Sequence, residues 1–319
     1  MAAIETLEII FPGIMTSVQD LGRYGSGRFG VAPSGALDSF SLRIANLLVG
    51  NSEDQACLET MLVGPGIKVL TDVVMAVTGG DLQPKRNKQP IEMWRSYTFK
   101  ADDILSFGHA VSGLRAYIAV GGGVAVPPVM GSRSTNLPSG FGGYKGRAVK
   151  KEDILVSDLP CDPINGAGRL FNPDWIPRYS DKWKLRVVWG PQDDHFPDDS
   201  RQVFLSGIYA MSQDSDRTGI RLEGQEILCK PGIEASIISE GVVAGAIQIP
   251  GDGKPIIILG ETVTGGYRKI ATVISADLPA LGQIKPGDSI QFAAVSLGEA
   301  YLGLQEMEDR LNDIKPKIN

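Results

Sequence analysis

The sequence is poor in the residues that build metal sites and disulfide bridges. Its 319 residues include three cysteines, Cys57, Cys161 and Cys229, and two histidines, His109 and His195. The cysteines form no Cys-x-x-Cys pair, and their odd number does not fit a disulfide framework. No His-Glu-x-x-His motif or other His and Cys cluster occurs. The sequence therefore predicts no metal site and a reducing, cytoplasmic setting.

Other absences exclude further classes of function. No run of eighteen apolar residues occurs, so no transmembrane helix is expected. The formal net charge of −6 argues against nucleic acid and against an anionic membrane surface as partners. The sequence also lacks the Gly-x-x-x-x-Gly-Lys-Ser/Thr loop and the Gly-x-Ser-x-Gly elbow. If the protein meets ATP, it does so without a P-loop.

Glycine and proline, in contrast, are abundant, with 39 and 20 copies. Between them lie short runs rich in Val and Ile, which span residues 73–77, 116–120, 185–189, 235–239, 245–249 and 255–259. Runs of this length and composition are typical of the short strands of barrels and sandwiches. Helical periodicity occurs only over 37–51, 196–207 and 301–314. The sequence predicts a mainly β protein with a few short helices.

The chain also repeats three landmarks in the same order. The first half carries Leu58-Glu59, Gly80-x-Leu82-Gln83 and Lys100-x-x-Asp103, and the second half carries Leu222-Glu223, Gly245-x-Ile247-Gln248 and Lys285-x-x-Asp288. Such self-similarity indicates two related units. We expect one β domain over 1–181, a second over 182–296, and a helix and tail over 297–319. An insertion after residue 123 has no counterpart in the second half.

The stretch TSVQDLGRYGSGRFGVAPSGALD, residues 16–38, is the first candidate site. Its glycines permit positive φ angles and close approach of a ligand. Arg23 and Arg28 supply guanidinium groups suited to carboxylate or phosphate. Asp20 and Asp38 could orient these arginines or act as bases. A pair of tight turns with salt-bridged charges is the alternative, and the residues alone do not decide between the two.

Two further loops carry similar chemistry. The inserted loop GSRSTNLPSGFGGYKGR, residues 131–147, places hydrogen-bond donors among glycines, and long loops of this kind are often functional. Its alternative role is a hairpin that covers a sheet edge. In ETVTGGYRK, residues 261–269, Gly265-Gly266 predicts a hairpin turn, and Tyr267 could stack on a ligand. A plain hairpin is the alternative there.

Six motifs, in order and over roughly residues 5 to 295, resemble the biotin-dependent carboxyltransferase-like family. They are the opening stretch, NLLVGN, GSRST with FGGYKGR, LRVVWGPQDDHF, GAIQIPGDGKPIIIL and TGGYRKIATVISADLPALGQIKPGDSIQF. The resemblance implies two tandem cyclophilin-like β-barrel domains. It also implies a heteromer with a second polypeptide of the same barrel type, the KipI-like B subunit.

The activity implied by the resemblance belongs to a complex. Together with the A and B subunits, a C subunit of this family supports the ATP-dependent cleavage of 5-oxo-L-proline to L-glutamate, with Mg²⁺ accompanying ATP at the level of the complex. Two alternatives stay open. One is a KipA-like antagonist of a KipI-type kinase inhibitor, and the other is a carboxyltransferase subunit of a biotin-dependent urea or amide carboxylase. Biotin is implied only under the last.

The resemblance also transfers site residues by matched position. The implied catalytic residues are Asp20, Arg23 and Asp38. The implied substrate-binding residues are Gln19, Arg133, Ser134, Thr135, Gly142, Gly143, Gly265, Gly266 and Tyr267. The sequence departs from the family pattern at two places. The usual Asp-Arg-Gln before the Thr-Thr-Gly-Gly-Tyr segment is replaced by Gly260-Glu261-Thr262, and the usual Thr-Gly-Ala-Asp reads Thr78-Gly79-Gly80-Asp81.

Overall fold

The computed structural model describes residues 4–158 and 167–314, with side chains up to 312. Cys161, the first three residues of the predicted first domain and the last five of the predicted tail lie outside the described residues, whereas Cys57 and Cys229 are free thiols. The chain divides into two compact units. The N-terminal unit comprises Met1–Tyr24, Ser34–Tyr179 and Ile314–Asn319, and the C-terminal unit comprises Gly25–Pro33 and Ser180–Asp313. The domain limits expected from the sequence stay predictions.

The strands of the N-terminal unit form two sheets. They are β1 (Ile4–Phe11), β2 (Met15–Gln19), β3 (Cys57–Met61), β4 (Gly66–Val69), β5 (Val73–Asp81), β6 (Lys85–Arg86), β7 (Gln89–Pro90), β8 (Ser96–Phe99), β9 (Ile104–Ser106), β10 (Ser112–Val120) and β11 (Ile154–Ser157). One sheet has the order β11-β1-β4-β9-β6-β7, and the other has the order β2-β3-β10-β5-β8. Helix α1 (Ser39–Leu48) lies against β5 and β10.

The core of this unit lies between the two sheets. The first sheet contributes Ile9 and Ile67, and the second contributes Leu58, Met75 and Ile118, all of them buried. Alternate residues of each strand point to the same face, so one face of each sheet can be apolar throughout. Facing apolar surfaces of two sheets exclude water from the space between them, which is the main stabilising term of such a fold.

The C-terminal unit is a closed barrel. Its strands are β12 (Lys182–Trp189), β13 (Tyr209–Met211), β14 (Gly219–Glu223), β15 (Ser236–Gly241), β16 (Ala246–Ile249), β17 (Ile256–Ile258), β18 (Thr264–Val273) and β19 (Ser289–Ala294). They follow the order β12-β19-β13-β14-β17-β16-β18, and an additional β12–β18 pairing closes the ring. Strand β15 pairs with β18 outside this ring. The helices are α2 (Asp198–Ser206), α3 (Leu278–Leu281) and α4 (Leu297–Ile314).

Much of this architecture is expected from sequence. The mainly β fold with short helices is confirmed, and every apolar run named above coincides with a strand. Helix α1 begins after Asp38, whose side chain accepts a hydrogen bond from the Ser41 amide, and Gly50 follows the helix with φ of 82°. An Asp at the N-cap and a left-handed glycine after the last turn are standard helix limits. Over the part of the chain described, no helix is both long and apolar enough to cross a membrane.

The Lys-x-x-Asp landmark of the repeat is a turn that starts a strand. The amide of Lys100 donates to the carboxylate of Asp103 at 2.7 Å, and the amide of Lys285 donates to Asp288 at 3.1 Å. A third copy, which the sequence comparison of the two halves missed, joins Lys150 to Asp153 at 2.6 Å before β11. The landmark is therefore a local turn motif as well as a sign of duplication.

The third copy gives a prediction on pH. Arg147 donates two hydrogen bonds to Asp153, at 2.6 and 2.8 Å, and this contact lowers the pKa of the carboxyl below its ordinary value of 3.8, against the effect of burial. A lowered pKa stabilises the fold at pH values above the ordinary one, and the stabilisation is lost as the pH falls through the lowered pKa. We expect Asp153→Asn to cost about 2 kcal/mol at pH 7, and less in acid.

Urea unfolding of both proteins from pH 7 downward measures this difference. The exposed Asp54, whose carboxylate accepts a hydrogen bond from Ser52, provides the control. Asp54→Asn should change the free energy of unfolding by less than about 0.5 kcal/mol. A cost of Asp153→Asn that stays constant or grows on acidification would contradict the assignment.

Candidate functional site

Asp20 connects the opening stretch to the inserted loop by hydrogen bonds. Its buried carboxylate follows β2. Oδ1 accepts hydrogen bonds from the hydroxyls of Ser132 at 2.6 Å and Ser134 at 2.5 Å, and from the Gly22 amide at 2.8 Å. Oδ2 accepts from the Arg133 amide at 2.5 Å. The structure thus brings together two segments more than a hundred residues apart, and it uses the Asp20 carboxylate for that contact.

Arg23 is buried beside Asp20. Only 1% of it is exposed, and its Nη2 donates to the carbonyl oxygen of Ser134 at 2.5 Å. Its Nε donates to the carbonyl of Val129 at 3.4 Å, and the guanidinium lies 4.8 Å from the ring centre of Phe141. A guanidinium group has donors in several directions, and its flat face stacks on aromatic rings. Arg23 therefore holds the main chain of the inserted loop in place.

The two glycines of the loop leave room for these contacts. Gly142 and Gly143 have φ of 69° and 51°, a region that side chains disfavour. A Cβ atom on Gly142 would lie 2.3 Å from the Ser134 carbonyl oxygen and 2.7 Å from Nη2 of Arg23. A Cβ on Gly143 would lie 1.8 Å from Oγ1 of Thr135. Both glycines are therefore needed for the loop to approach Arg23 and Thr135.

Gly142→Ala should therefore lower the free energy of unfolding by more than an unfavourable positive φ would on its own. Gly140 has φ of 67° and no atom within 4 Å of a Cβ built on it, so Gly140→Ala measures the cost of the backbone angle. We expect about 1 kcal/mol for Gly140→Ala and about 3 kcal/mol for Gly142→Ala, because only the latter displaces a carbonyl group and a buried guanidinium. Thermal and urea unfolding of the two variants measure both values. Equal costs would mean that the loop moves freely away from Arg23.

Gln19 of β2 and the remaining predicted residues of the loop join the same hydrogen-bond network. Gln19 is buried, and its amide nitrogen donates to the Thr135 carbonyl at 3.2 Å while its oxygen accepts from the Gly35 amide at 3.2 Å. The Thr135 hydroxyl donates to the carbonyl of Val18 at 2.9 Å. Arg133 reaches outward to Asp158 at 2.7 Å. We define the Asp20 cluster as Gln19, Asp20, Arg23, Ser132, Arg133, Ser134, Thr135, Gly142 and Gly143.

Asp38 belongs to a second buried network. Its carboxylate accepts from the amide and the hydroxyl of Ser41, at 2.9 and 2.6 Å, at the start of α1. Its own amide donates to the Tyr117 hydroxyl at 2.8 Å, and that hydroxyl donates to Oε2 of Glu59 at 2.7 Å. Burial raises the pKa of Tyr117 well above 10, and the charges of Glu59 and Asp38 raise it further. The Tyr117 phenol therefore stays protonated. It links the Glu59 carboxylate to the Asp38 amide at the start of α1.

Glu59 also forms a buried ion pair that the sequence did not reveal. Its Oε1 lies 3.6 Å from Nε of Arg115, and each side chain is only 5% exposed. The two residues lie on the neighbouring strands β3 and β10, and Tyr117 stands directly opposite Glu59 in the pairing. Buried, coupled charges occur at structural ion pairs as well as at functional sites. The repeated Leu-Glu landmark was the only sign of Glu59 in the sequence.

A cavity of about 540 Å³ opens in the N-terminal unit close to Asp38. Gly79 and Asp81, from the Thr-Gly-Gly-Asp departure, line it together with Tyr179. The Tyr179 hydroxyl donates to Oδ2 of Asp38 at 3.4 Å. Burial raises the pKa of Tyr179 well above 10, with a further contribution from Asp38. One wall of the cavity is therefore hydrogen-bonded to a predicted catalytic residue.

The predicted residues of the C-terminal unit lie on a strand. Gly265, Gly266 and Tyr267 belong to β18, where Gly265 pairs with Glu240, so the predicted Gly265-Gly266 hairpin turn is wrong. A Cβ on Gly265 would lie 1.9 Å from Nε2 of Gln248. The glycine is therefore explained by a close approach of a neighbouring side chain and not by a turn. Tyr267 is 40% exposed.

Polar side chains surround this glycine strand. Lys269 is buried, and its Nζ lies 2.5 Å from Oε1 of Glu240, which also accepts from Nε2 of Gln192 at 2.8 Å. The hydrogen bonds from Lys269 and Gln192 lower the pKa of Glu240. Among residues 4–158 and 167–314, no three His, Cys, Asp or Glu side chains converge as metal ligands would. The cluster is therefore an ion pair supported by an amide.

Comparison with known families decides the relationship. The family described as carboxyltransferase domain, subdomain A and B, matches residues 29–294. The chain belongs to this carboxyltransferase family. The family resemblance expected from the six motifs is confirmed.

Individual relatives of this carboxyltransferase family align over almost the whole chain. The C subunit of the Escherichia coli 5-oxoprolinase is 36% identical over 304 residues, which are 95% of each protein. The urea amidolyase of Saccharomyces cerevisiae is 36% identical over 95% of this chain but only 17% of its own length. The crystal structure of the Kluyveromyces lactis urea amidolyase superposes on 98% of this chain with a TM-score of 0.91 and 33% identity, over 20% of that protein.

The departure from the carboxyltransferase pattern at 260–262 has a structural counterpart. Glu261 has a fully buried side chain, and its Oε1 accepts a hydrogen bond from Nε of Arg217 at 3.0 Å. Arg217 is itself buried. An isolated carboxylate would be costly in such a place, and a paired guanidinium offsets that cost. Where the resemblance implies an arginine, this chain thus holds a carboxylate that pairs with Arg217.

Proposed function

We propose that the chain acts as the C subunit of a bacterial 5-oxoprolinase. In this proposal it works with the KipI-like B and the A subunits to cleave 5-oxo-L-proline to L-glutamate at the expense of ATP. The observation that carries the proposal is the alignment with the Escherichia coli 5-oxoprolinase C subunit, which covers 95% of both chains at 36% identity. The corresponding 5-oxoprolinase polypeptide of Haemophilus influenzae aligns over 94% of each chain at 32% identity.

The chemistry explains why ATP is required. A lactam is a stable amide, so hydrolysis without ATP is driven only poorly toward the ring-opened acid. Transfer of the γ-phosphoryl group from ATP to the lactam oxygen releases ADP and gives an activated species. Water then opens the ring with release of phosphate, and the main need is to stabilise the developing negative charge. This chain has no P-loop, so we assign ATP and its Mg²⁺ to the complex as a whole. The cytoplasmic location expected from the cysteine content belongs to the same proposal.

We propose a positioning role for the Asp20 cluster. All four hydrogen bonds to the Asp20 carboxylate come from the chain itself, and Arg23 is buried against main-chain carbonyls and Phe141. A general base needs a lone pair within reach of the substrate proton. The cluster is better suited to hold the inserted loop in one conformation than to exchange protons. Asp38, which caps α1, is likewise better suited to a positioning role than to exchange of protons.

Carboxyl transfer is the second candidate function. The TM-score of 0.91 shows that a urea amidolyase contains the same fold, and the family resemblance implies biotin under this candidate. Under this candidate the chain would receive a carboxyl group from carboxybiotin supplied by a separate carrier. The alignment covers only a fifth of the urea amidolyase, whereas it covers nearly all of the 5-oxoprolinase polypeptide, and this difference favours the first proposal.

A substrate comparison distinguishes the candidates. The chain is combined with its genomic neighbours that resemble the A and B subunits, and ADP release is measured with 5-oxoproline, with urea, or with neither. We expect ADP release and glutamate only with 5-oxoproline, independent of biotin. Avidin, which sequesters biotin, is the control and should have no effect.

Two results would contradict the proposal. Urea-stimulated ADP release that avidin abolishes would establish carboxyl transfer. A tight complex with the KipI-like protein that turns over neither substrate even after the A-like subunit is added would instead indicate the regulatory, KipA-like role.

A further inference from the structure

The cavity of the N-terminal unit has the size and lining of a small-molecule site. Its volume of about 540 Å³ falls within the range of about 300–1,000 Å³ that such sites occupy in proteins. Ile91, Met93 and Trp94 form an apolar wall, and Asp81, Lys85 and Ser112 add polar groups. An apolar wall with a few converging polar groups is the usual composition of a ligand pocket.

Lys85 brings a positive charge that the chain does not neutralise. It lies on the short strand β6, and its backbone pairs with Pro90 and Ser106. Within the described part of the chain, no carboxylate oxygen lies within salt-bridge distance of its ammonium group. The side chain is half-buried in the cavity wall. Asp81 and Glu92 also line the cavity, but neither lies within salt-bridge distance of the Lys85 ammonium, and Glu92 pairs with Arg95 at 3.2 Å. A half-buried lysine without a salt-bridge partner is suited to receive an anionic group.

Asp81 and Ser112 offer the complementary polar groups. Oδ1 of Asp81 accepts from the Gln83 amide at 2.7 Å, and Oδ2 has no hydrogen-bond partner among the described residues. Within the same residues, the Ser112 hydroxyl makes no hydrogen bond either. The two residues are held close together, because Ser112 on β10 pairs directly with Asp81 on β5. The site therefore presents one acceptor for an N–H group and one hydroxyl donor side by side.

Two residues of the wall hold unusual backbone conformations. Gln83 and Trp94 have φ of 54° and 60°, although neither is glycine. The amide of Trp94 donates to the Val77 carbonyl at 2.7 Å, and its ring packs 5.4 Å from that of Phe171. Such angles persist only where surrounding contacts enforce them, and eight other non-glycine residues of the described chain share a positive φ. The hydrogen bond and the ring packing of Trp94 are the contacts that hold this part of the wall.

We propose that this cavity binds a small cyclic amide that carries a carboxylate, the class to which 5-oxoproline belongs. The Lys85 ammonium receives the carboxylate, Oδ2 of Asp81 accepts the ring N–H, and Ser112 donates to the amide oxygen. The apolar wall covers the ring carbons. The choice of ligand rests on the proposed function, whereas the site itself rests on the cavity and its unpaired groups.

Calorimetric titration with two ligands tests the pairing with Lys85. The ligands are 5-oxoproline and its neutral carboxamide, which differ only in the group assigned to the lysine. We expect the wild-type chain to bind the carboxylate at least about tenfold more tightly. In Lys85→Met this preference disappears, while affinity for the carboxamide is unchanged. Ser112→Ala should weaken both ligands about equally, by roughly threefold to tenfold.

A lysine far from the cavity supplies the matched control. Lys151 is exposed and lies 3.9 Å from Glu152, so Lys151→Met removes the same charge from the chain without touching the cavity. It should bind both ligands as the wild type does. Equal loss in Lys151→Met and Lys85→Met, a carboxylate preference that survives in Lys85→Met, or no binding by the wild type would each overturn the proposal.

The same variant separates this inference from the proposed function. Suppose the assembled complex forms glutamate but Lys85→Met keeps the wild-type KM for 5-oxoproline. The cavity would then not be the substrate site, and the function would stand. Suppose instead that the complex forms no glutamate, while the chain still binds cyclic amide carboxylates through Lys85. The function would then fall, and the binding site would stand.

Discussion

Asp20→Ala should lower the free energy of unfolding by about 4 kcal/mol. The substitution removes the acceptor of four hydrogen bonds, donated by Gly22, Ser132, Arg133 and Ser134. Buried donors that lose their acceptor cost about 1–3 kcal/mol each, and water that enters the space offsets part of the sum. The inserted loop should lose its order together with this stability. Urea unfolding and hydrogen exchange of residues 129–147 measure the two effects.

An aspartate that contacts the same loop from outside is the control. Asp158 forms an ion pair with Arg133, and its side chain is 42% exposed. Exposed ion pairs contribute about 1 kcal/mol or less, so Asp158→Ala should cost no more than that. If Asp20→Ala instead unfolds like the wild type and loses only activity, Asp20 is a catalytic residue and its positioning role is wrong.

The buried pair of Arg217 and Glu261 should give the second large effect. We expect Glu261→Met and Arg217→Met each to cost about 3–5 kcal/mol, because each removes one partner of a buried ion pair. Replacing both by methionine removes the two charges at once and should cost less than either single change. Chemical unfolding of the four proteins completes a double-mutant cycle.

An exposed pair in the same unit sets the baseline. Nζ of Lys254 lies 2.5 Å from Oε2 of Glu223, with 40% and 53% of the side chains exposed. Glu223→Gln should therefore cost less than about 1 kcal/mol. A double variant as unstable as the sum of the single variants would show that Arg217 and Glu261 do not stabilise each other, and that the 260–262 departure has some other basis.

Local signals made part of the fold predictable. Helix α1 can be predicted from adjacent residues, because an apolar stripe lies between Asp38 at its start and Gly50 beyond its end. The strands likewise show as short Val- and Ile-rich runs between turn residues. Such elements depend on contacts within a few positions, so composition and spacing are enough to predict them.

Positions that depend on distant neighbours were not predictable in the same way. Gly265-Gly266 has the composition of a hairpin turn, but the glycine at 265 is needed because Gln248 approaches it from β16. Glu261 and Arg217 form their pair across 44 residues of sequence. A side chain's chemistry shows which bonds it can form, whereas the fold determines its partner.

The candidate site illustrates the same limit. The sequence singled out Asp20, Arg23 and the inserted loop as candidate site residues, and their role in function stays a prediction. It could not show that their bonding groups face each other and the loop, with Arg23 only 1% exposed. It also gave no sign of Lys85, because an unpaired lysine is recognised only when every neighbour is known. The cavity depends on side chains from several separate strands and turns.

One measurement tests the central claim most directly. Fixed amounts of the A and B subunits are titrated with this chain in the presence of ATP, Mg²⁺ and 5-oxoproline, and glutamate and ADP are quantified in the same reaction. The account predicts no glutamate without the chain, a rise that saturates at a fixed ratio of the chain to its KipI-like partner, and glutamate formation that stops when ATP is omitted. Glutamate formed at the full rate in the absence of this chain would contradict the account.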